Sequence, residues 1–250
     1  MKLEYLPLLN VQRDIYNIPR GADRFRAYLS TMIDPQTRDI KLPIVSMNPM
    51  GKDHIPALLD AYLSFDADRL AACAVSEAAQ LVEQVPGEFR VALVISDDAM
   101  GGWTNRYFAE FSHRFNSEPY SRRGWLVGIL WTSEKPSPEA TREEVLTTVF
   151  RGAHIQQHGF ARTLREMLTQ EGYAMAMAAC SPPPMEEEEL AYTRDVIAPY
   201  LEATDRPTLM GCLYGDEVAV SLGYSPLGLS SRAGIWLALE DARVEFGLRC

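Results

Sequence analysis

The amino-acid sequence predicts an α/β fold: a single domain, residues 1–250, with a mainly parallel, doubly wound sheet of about five strands flanked by helices. Short apolar runs alternate about five times with segments of helical periodicity, which is typical of a parallel sheet covered on both faces. The 250 residues suit one large domain or two smaller ones, and we predict one. The 47% hydrophobic and 23% charged residues are ordinary for a globular protein.

The first part of the chain is predicted to contain an extension, one strand and two helices. Residues 1–39 are mixed in character and are expected to form an N-terminal arm or extension. Residues 42–47 are an apolar run with Pro43 near its beginning, where a strand tolerates proline. Asp53 is then placed to cap a helix, and a second helix follows.

Two strands and the helix between them are predicted in the middle of the chain. Residues 90–96 form a continuous apolar run that ends in polar residues, as a fully buried strand does. Phenylalanines recur at helical spacing over residues 108–115 and predict the buried stripe of a helix. Residues 124–131 are the next apolar run and predict the third strand.

The remainder of the chain is predicted to begin with one long helix, residues 139–171. Gly172 is placed to end it, since glycine adopts the left-handed conformation found after many helices. Residues 173–179 alternate alanine and methionine, so strand and helix both remain open, and we favour a strand. A fifth strand is predicted at residues 208–214, followed by a last helix through Phe246.

Composition excludes some classes of partner and favours a location. The net charge is −10, from 34 acidic and 24 basic side chains, which argues against nucleic acid and against anionic membranes as partners. The N-terminal segment lacks the apolar core of a signal peptide, and no run approaches the about 18–20 apolar residues that cross a bilayer. Four widely separated cysteines suggest reduced thiols. We therefore expect a cytoplasmic protein, and homo-oligomerisation remains open.

The segment after residues 90–96 carries the strongest candidate site. Ligands bind open α/β sheets at the carboxyl ends of the strands. Asp97 and Asp98 lie directly at such an end, and a crowded carboxylate pair raises one pKa, which suits a general base. Gly101, Gly102 and Asn105 follow before a helix and are predicted to hold ligand oxygens at its N-terminus.

Three further side chains complete the predicted site. Lys52 and Arg106 are expected to neutralise a negatively charged ligand, and His54 is expected to shuttle a proton near neutral pH. Each of these features also has an ordinary interpretation. The aspartates could be solvated turn residues, and the glycines could form a tight turn with Thr104 as the helix cap.

A second cluster is predicted on the long helix. At about 100° per residue, five basic or imidazole side chains fall within roughly an 80° arc. This Arg/His strip consists of Arg151, His154, His158, Arg162 and Arg165. Histidines four residues apart can share a metal, but three arginines would repel a cation. The strip therefore suits an anion or an acidic partner better than a metal, and a solvated helix flank is the third interpretation.

These observations predict a cytoplasmic enzyme that acts on a small anionic, hydroxylated metabolite at the strand ends. A non-catalytic module that binds or senses a small ligand at the same place is one alternative. An assembly protein that docks an acidic partner through the Arg/His strip is another. A metal-dependent hydrolase built on Asp97, Asp98 and the histidine pair is a fourth hypothesis. No motif indicates a cofactor.

Overall fold

Three parallel strands in the order β1-β2-β3 form the sheet: β1 (Lys2–Tyr5), β2 (Glu88–Ser96) and β3 (Trp125–Trp131). The strands predicted at residues 90–96 and 124–131 are confirmed as β2 and β3. The apolar residues 91–95 are at most 1% exposed, because β3 pairs along one side of β2 while β1 and then the helix Leu8–Asn17 cover the other, and the helix Ala67–Leu81 also packs on it. This burial explains why β2 shows a continuous apolar run and no alternation.

The computed structural model describes residues 1–99, 105–181 and 185–247. The fold is mixed α/β, as predicted. The chain divides into two compact units, one of Met1–His113 with Ser117–Val149, the other of Arg114–Asn116 with Phe150–Cys250. The expectation that the whole chain is a single domain stays a prediction.

Seven helices begin among the described residues of the first unit, and α1 and α4 pack on the sheet. They are α1 (Leu8–Asn17), α2 (Ala22–Met32), α3 (His54–Ser64), α4 (Ala67–Leu81), α5 (Arg106–Phe115), α6 (Glu118–Ser121) and α7 (Pro138–His158). α1 contacts β2, and α4 contacts β1 and β2. The expected N-terminal arm thus contains an edge strand and two helices, and β1 was not predicted from the sequence.

The second unit is helical in its described residues. Its elements are the end of α7, then α8 (Leu164–Met177), α9 (Glu187–Ile197), a 3-10 turn (Ala198–Tyr200), α10 (Arg206–Tyr214), α11 (Asp216–Ser221) and α12 (Ala233–Glu245). α12 packs against α8, α9 and α10. Nowhere in the described ranges does a helix combine the length and the apolar character needed to cross a membrane.

Three of the five predicted strands are wrong. Residues 42–47 form turns between helices, and their apolar side chains Ile44 and Met47 are buried without strand pairing. Residues 173–179 belong mostly to α8, and residues 208–214 belong to α10. A short apolar run does not distinguish a buried strand from a helix buried on most sides. The described sheet therefore has three strands, and its order contains no reversal, so a doubly wound sheet of about five strands is not confirmed.

The predicted long helix at residues 139–171 is two helices. Gly159 ends α7 with a φ of 85°, and its amide donates to the carbonyl of Ile155. Thr163 begins α8 with a capping box, in which its side chain accepts from the Glu166 amide while the Glu166 carboxylate accepts from the Thr163 amide. Gly172, predicted to end the helix, lies inside α8, where it lets α12 approach closely.

Candidate functional site

Asp97 is the centre of a buried hydrogen-bond cluster at the carboxyl end of β2. Its side chain is 4% exposed. Oδ1 accepts hydrogen bonds from His54 Nε2 at 2.8 Å and from Thr132 Oγ1 at 3.0 Å, and Oδ2 accepts one from Asn48 Nδ2 at 3.0 Å. Burial alone would raise the pKa of Asp97, but the hydrogen bonds that it accepts from His54, Asn48 and Thr132 outweigh this effect and lower that pKa. Asp97 is therefore an ionised carboxylate.

The ionised Asp97 determines which nitrogen of His54 carries the proton. A carboxylate only accepts hydrogen bonds, so Nε2 of His54 must be the donor. In the neutral imidazole, Nδ1 is then the nitrogen with a free lone pair. This Nδ1 is buried and has no hydrogen-bond partner among the described residues. His54 is consequently an oriented imidazole with an unused basic nitrogen.

Asp98 has a different environment from Asp97. Its Oδ1 accepts from the Ser133 amide at 2.9 Å, and its Oδ2 accepts from the Ser133 hydroxyl at 2.6 Å. Arg106 Nη1 lies 3.4 Å from the same Oδ2. These bonds join the turn after β2 to the turn after β3, so Asp98 acts as a structural bridge between two strand ends.

Thr132 connects the two carboxylates. Its Oγ1 lies 3.0 Å from Oδ1 of Asp97 and 3.0 Å from Oδ1 of Asp98. The hydroxyl has one proton, so it donates to one of the two at a time. It also accepts from the amides of Asp98 and Ala99 at 3.1 and 3.2 Å. In the sequence, Thr132 directly follows the apolar run of residues 124–131, so it belongs to the polar residues that the pattern places at the strand ends.

Arg106 is engaged by acidic side chains. It contacts Asp98 and hydrogen-bonds to Glu134, and its Nε lies 3.7 Å from the Glu110 carboxylate. The guanidinium also lies over the ring of Trp131, 5.2 Å from its centroid. Three carboxylates around one guanidinium leave it without surplus positive charge for a ligand. The structure thus gives Arg106 a bridging position between strand ends.

The other predicted ligand residues are less closely grouped. Lys52 is exposed and lies two residues before His54. The side-chain oxygen of Asn105 accepts from the Phe108 amide at 3.1 Å, the geometry of a helix cap at the start of α5. Three residues of the expected glycine turn lie outside the described residues: Gly101, Gly102 and Thr104.

Two residues that the sequence did not single out support the cluster. Gln12 is fully buried on α1 and hydrogen-bonds to the backbone of Ile95, two residues before Asp97. The hydroxyl of Tyr16 donates to the carbonyl of Asn48. The only sign in the sequence that Gln12 has a structural role is that a polar residue lies on the buried face of α1. That face has to be known before the sign can be recognised.

The Arg/His strip does not form one surface. Arg151 is buried and makes a two-pronged ion pair with Glu171, with Nε–Oε1 at 2.7 Å and Nη2–Oε2 at 3.0 Å. Arg114 also pairs with Glu171, whose side chain is 0% exposed. Burial alone would raise the pKa of Glu171, but the charges of Arg151 and Arg114 lower it to about 2. Arg151 is therefore matched by an internal carboxylate.

The other residues of the Arg/His strip do not share one helix. Arg162 and Arg165 lie beyond the end of α7, so they do not continue its face. His154 is 9% exposed, whereas His158 is exposed, and their ring centroids are 4.5 Å apart. Within the described ranges, no three histidine, cysteine, aspartate or glutamate side chains are grouped as metal ligands.

Comparison with known proteins gives no relative from which residue roles can be transferred. No protein-family model matches the chain, and neither a curated protein nor a solved structure matches it. The chemistry of the cluster around Asp97 therefore has to be argued from its own geometry.

Proposed function

We propose that the protein is a cytoplasmic enzyme that acts on a small hydroxylated metabolite by general acid–base catalysis at the carboxyl ends of β2 and β3. The observation that carries this proposal is the 2.8 Å hydrogen bond between His54 Nε2 and Asp97 Oδ1, together with the unpartnered Nδ1 of His54 among the described residues. An imidazole oriented by a buried carboxylate is the arrangement that general bases use.

The roles of the two aspartates differ in this proposal. Asp97 orients the imidazole and stabilises the imidazolium that forms when Nδ1 takes a proton. Asp98 holds the two strand ends together through Ser133 and Arg106. His54, which the sequence suggested as a proton shuttle, is thus proposed as the base, and neither aspartate takes the substrate proton itself.

Recognition of a negatively charged substrate depends on fewer groups than the sequence suggested. Arg106 is already surrounded by three carboxylates, so its charge is internally balanced. Lys52 is exposed and close in sequence to His54, and it is the cation that we propose meets an anionic group of the substrate.

The catalytic step follows from the tautomer of His54. Because Nδ1 is buried, the proposal requires the substrate to displace the side chains that cover it; Nδ1 then accepts a proton from a substrate hydroxyl, or from a carbon next to a carbonyl group, and later returns it. The Asp97 carboxylate lies on the opposite side of the ring and favours the charged imidazolium electrostatically. Proton transfer of this kind contributes about 10²–10⁴-fold in rate.

The test uses probes that represent the proposed substrate class. The protein is incubated in D2O with L-malate, 3-phosphoglycerate or glucose 6-phosphate, and NMR follows product formation and deuterium uptake. We expect turnover of at least one probe, reduced about 10²–10⁴-fold by His54→Gln. His158→Gln is the matched control, because it makes the same change at an exposed histidine of the other unit.

Asp97→Asn tests the orienting role separately. Both carboxylate oxygens accept from N–H groups, so an amide must turn its NH2 toward either His54 or Asn48. Facing His54, it would force the proton onto Nδ1 and remove the base. Long-range ¹H–¹⁵N NMR spectra report the tautomer, which we expect to be Nε2–H in the natural protein. An Nδ1–H tautomer there, or full turnover in His54→Gln, would refute the proposal.

A non-catalytic binding module at the same cluster remains the second candidate, because the buried cluster would serve binding equally well. It predicts that a probe raises the melting temperature in a way that depends on His54 while no product or exchange appears. The assembly alternative is weakened, since Arg151 is buried against Glu171 and is not on a docking surface.

A further inference from the structure

The second unit contains a cavity that the proposed enzyme site does not use. It has a volume of about 610 Å³ and lies among the end of α7, residues 159–161, α8 and α12. Sites for small molecules have volumes of about 300–1,000 Å³ and are mostly apolar. The cavity therefore has the size of a site for a small organic ligand.

One wall of the cavity is a continuous series of rings. The ring centroids of His158 and His154 are 4.5 Å apart, those of His154 and Tyr173 are 5.4 Å apart, and those of Tyr173 and Phe246 are 6.0 Å apart. All four residues line the cavity. Aromatic rings pack against one another in offset or edge-to-face geometry at these distances. The wall thus favours a ligand that is itself an aromatic ring.

The charged side chains at the cavity favour a positive ligand. One arginine, Arg165, and three carboxylates, those of Glu166, Asp241 and Glu245, line it. Arg165 is already paired, because its Nε donates to Glu202 Oε1 at 2.8 Å. The carboxylates outnumber the arginine, so the charges of the lining sum to a negative value.

The buried imidazole of His154 adds no positive charge to this balance. Burial, followed by the nearby charge of His158, lowers the pKa of His154 to about 4. His154 is therefore neutral at pH 7. Two of the carboxylates already have partners, because Asp241 pairs with Arg194 and Glu166 accepts backbone amides at the start of α8. Glu245, exposed in the last turn of α12, is then the group that would meet a ligand cation.

We propose that this cavity binds a small aromatic cation. The ligand is either an organic amine attached to one ring or two fused rings, or a positively charged nitrogen heterocycle of that size. The ligand's aromatic ring packs against the rings of His154, Tyr173 and Phe246. Its positive charge lies near the carboxylate of Glu245. The faces of Tyr173 and Phe246 add to the attraction, since aromatic rings carry negative charge density on their faces. This inference is independent of the proposed chemistry at His54.

The test compares three probes that share an indole ring and differ in charge: tryptamine, indole and indole-3-acetate. Isothermal titration calorimetry with the full chain gives the Kd of each at low salt. We expect saturable binding of tryptamine at one site per chain, with a Kd at least ten times lower than that of indole-3-acetate. Indole should lie between the two.

Variants assign the binding to this cavity. Glu245→Gln keeps the size of an exposed side chain and removes its charge. It should raise the Kd of tryptamine at least threefold and leave the Kd of indole unchanged. Phe246→Ala should weaken both tryptamine and indole. Phe25→Ala is the matched control, because Phe25 is 38% exposed in the first unit and Phe246 is 43% exposed. Equal affinity for the three probes, no saturable binding of tryptamine, or equal weakening by Phe25→Ala would overturn the proposal.

Discussion

The side chain of Gln12 pairs with the backbone of Ile95 as a neighbouring strand would. Its Nε2 donates to the Ile95 carbonyl at 3.0 Å, and its Oε1 accepts from the Ile95 amide at 2.8 Å. β1 ends its pairing with β2 at Val91, so no strand of the described ranges pairs with the last residues of β2 on that side. Gln12 satisfies both polar groups of Ile95, two residues before Asp97, and so supports the end of the strand that carries the site.

Removing that side-chain amide should destabilise the protein. Gln12→Met keeps the length of the side chain but leaves the Ile95 amide and carbonyl buried without partners. Each such group costs about 1–3 kcal/mol, so we expect the free energy of unfolding to fall by about 2–6 kcal/mol. Urea denaturation measures the change. Gln80→Met, at an exposed position of α4, is the control and should stay within about 0.5 kcal/mol; equal losses in both variants would contradict this interpretation.

A methyl group at Gly172 should also destabilise the fold. A Cβ there would lie 2.4 Å from the carbonyl oxygen of Ala238, a backbone atom of α12. Alanine is favoured over glycine in a helix by about 0.5–1 kcal/mol, but forced overlap in a packed interior costs about 1–3 kcal/mol. Gly172→Ala should therefore give a net loss of stability in urea denaturation. Gly21→Ala, where no atom lies within 4 Å of the new Cβ, should be nearly neutral, and a more stable Gly172→Ala variant would show that the helices can separate freely.

The buried ion cluster around Glu171 predicts that substituting this glutamate costs far more stability than substituting the exposed Glu202. Glu171→Gln leaves Arg151 and Arg114 without their carboxylate, and a buried charge that loses its partner costs about 3–5 kcal/mol. Glu202→Gln breaks an exposed pair with Arg165, which contributes about 0–1 kcal/mol. Urea denaturation at neutral pH compares the two variants. A loss for Glu171→Gln no greater than that for Glu202→Gln would show that the cluster is solvated.

The buried imidazole of His154 predicts that stability depends on pH. Its pKa is lowered from 6.5 to about 4, first by burial and then by the charge of His158. Between these pH values the unfolded chain binds more protons than the folded chain does. The stability that the neutral His154 contributes is therefore fully present above pH 6.5 and is lost as the pH falls toward 4. It amounts to about 2–3 kcal/mol over that range.

His154→Gln should therefore flatten the dependence of unfolding free energy on pH between pH 6.5 and 4. His158→Gln removes only the neighbouring charge, which is the second cause of the lowered His154 pKa after burial, so it should flatten the dependence less than His154→Gln does. Urea denaturation at half-unit steps of pH gives the two slopes. An unchanged slope in His154→Gln would mean that His154 titrates as an exposed histidine does.

The sequence by itself determined the strands β2 and β3 and the place of the candidate site. Residues 90–96 and 124–131 are long enough and apolar enough to be buried on both faces, and polar residues end each run. Asp97 and Asp98 follow the first run directly, so their position at the carboxyl end of β2 follows from local pattern alone. Local pattern also suggested His54 as a proton shuttle, which stays a prediction.

Only the tertiary structure decided which residues meet. Residues 208–214 are helical because α10 is surrounded by other helices, a burial that periodicity does not distinguish from that of a strand. Arg106 and Arg151 carry positive charge in the sequence, yet carboxylates distant along the chain balance both. The different environments of Asp97 and Asp98 likewise arise from Asn48, His54 and Ser133. Hydrogen bonds and ion pairs between distant segments determine these outcomes, and a one-dimensional pattern contains no record of which segments will be neighbours.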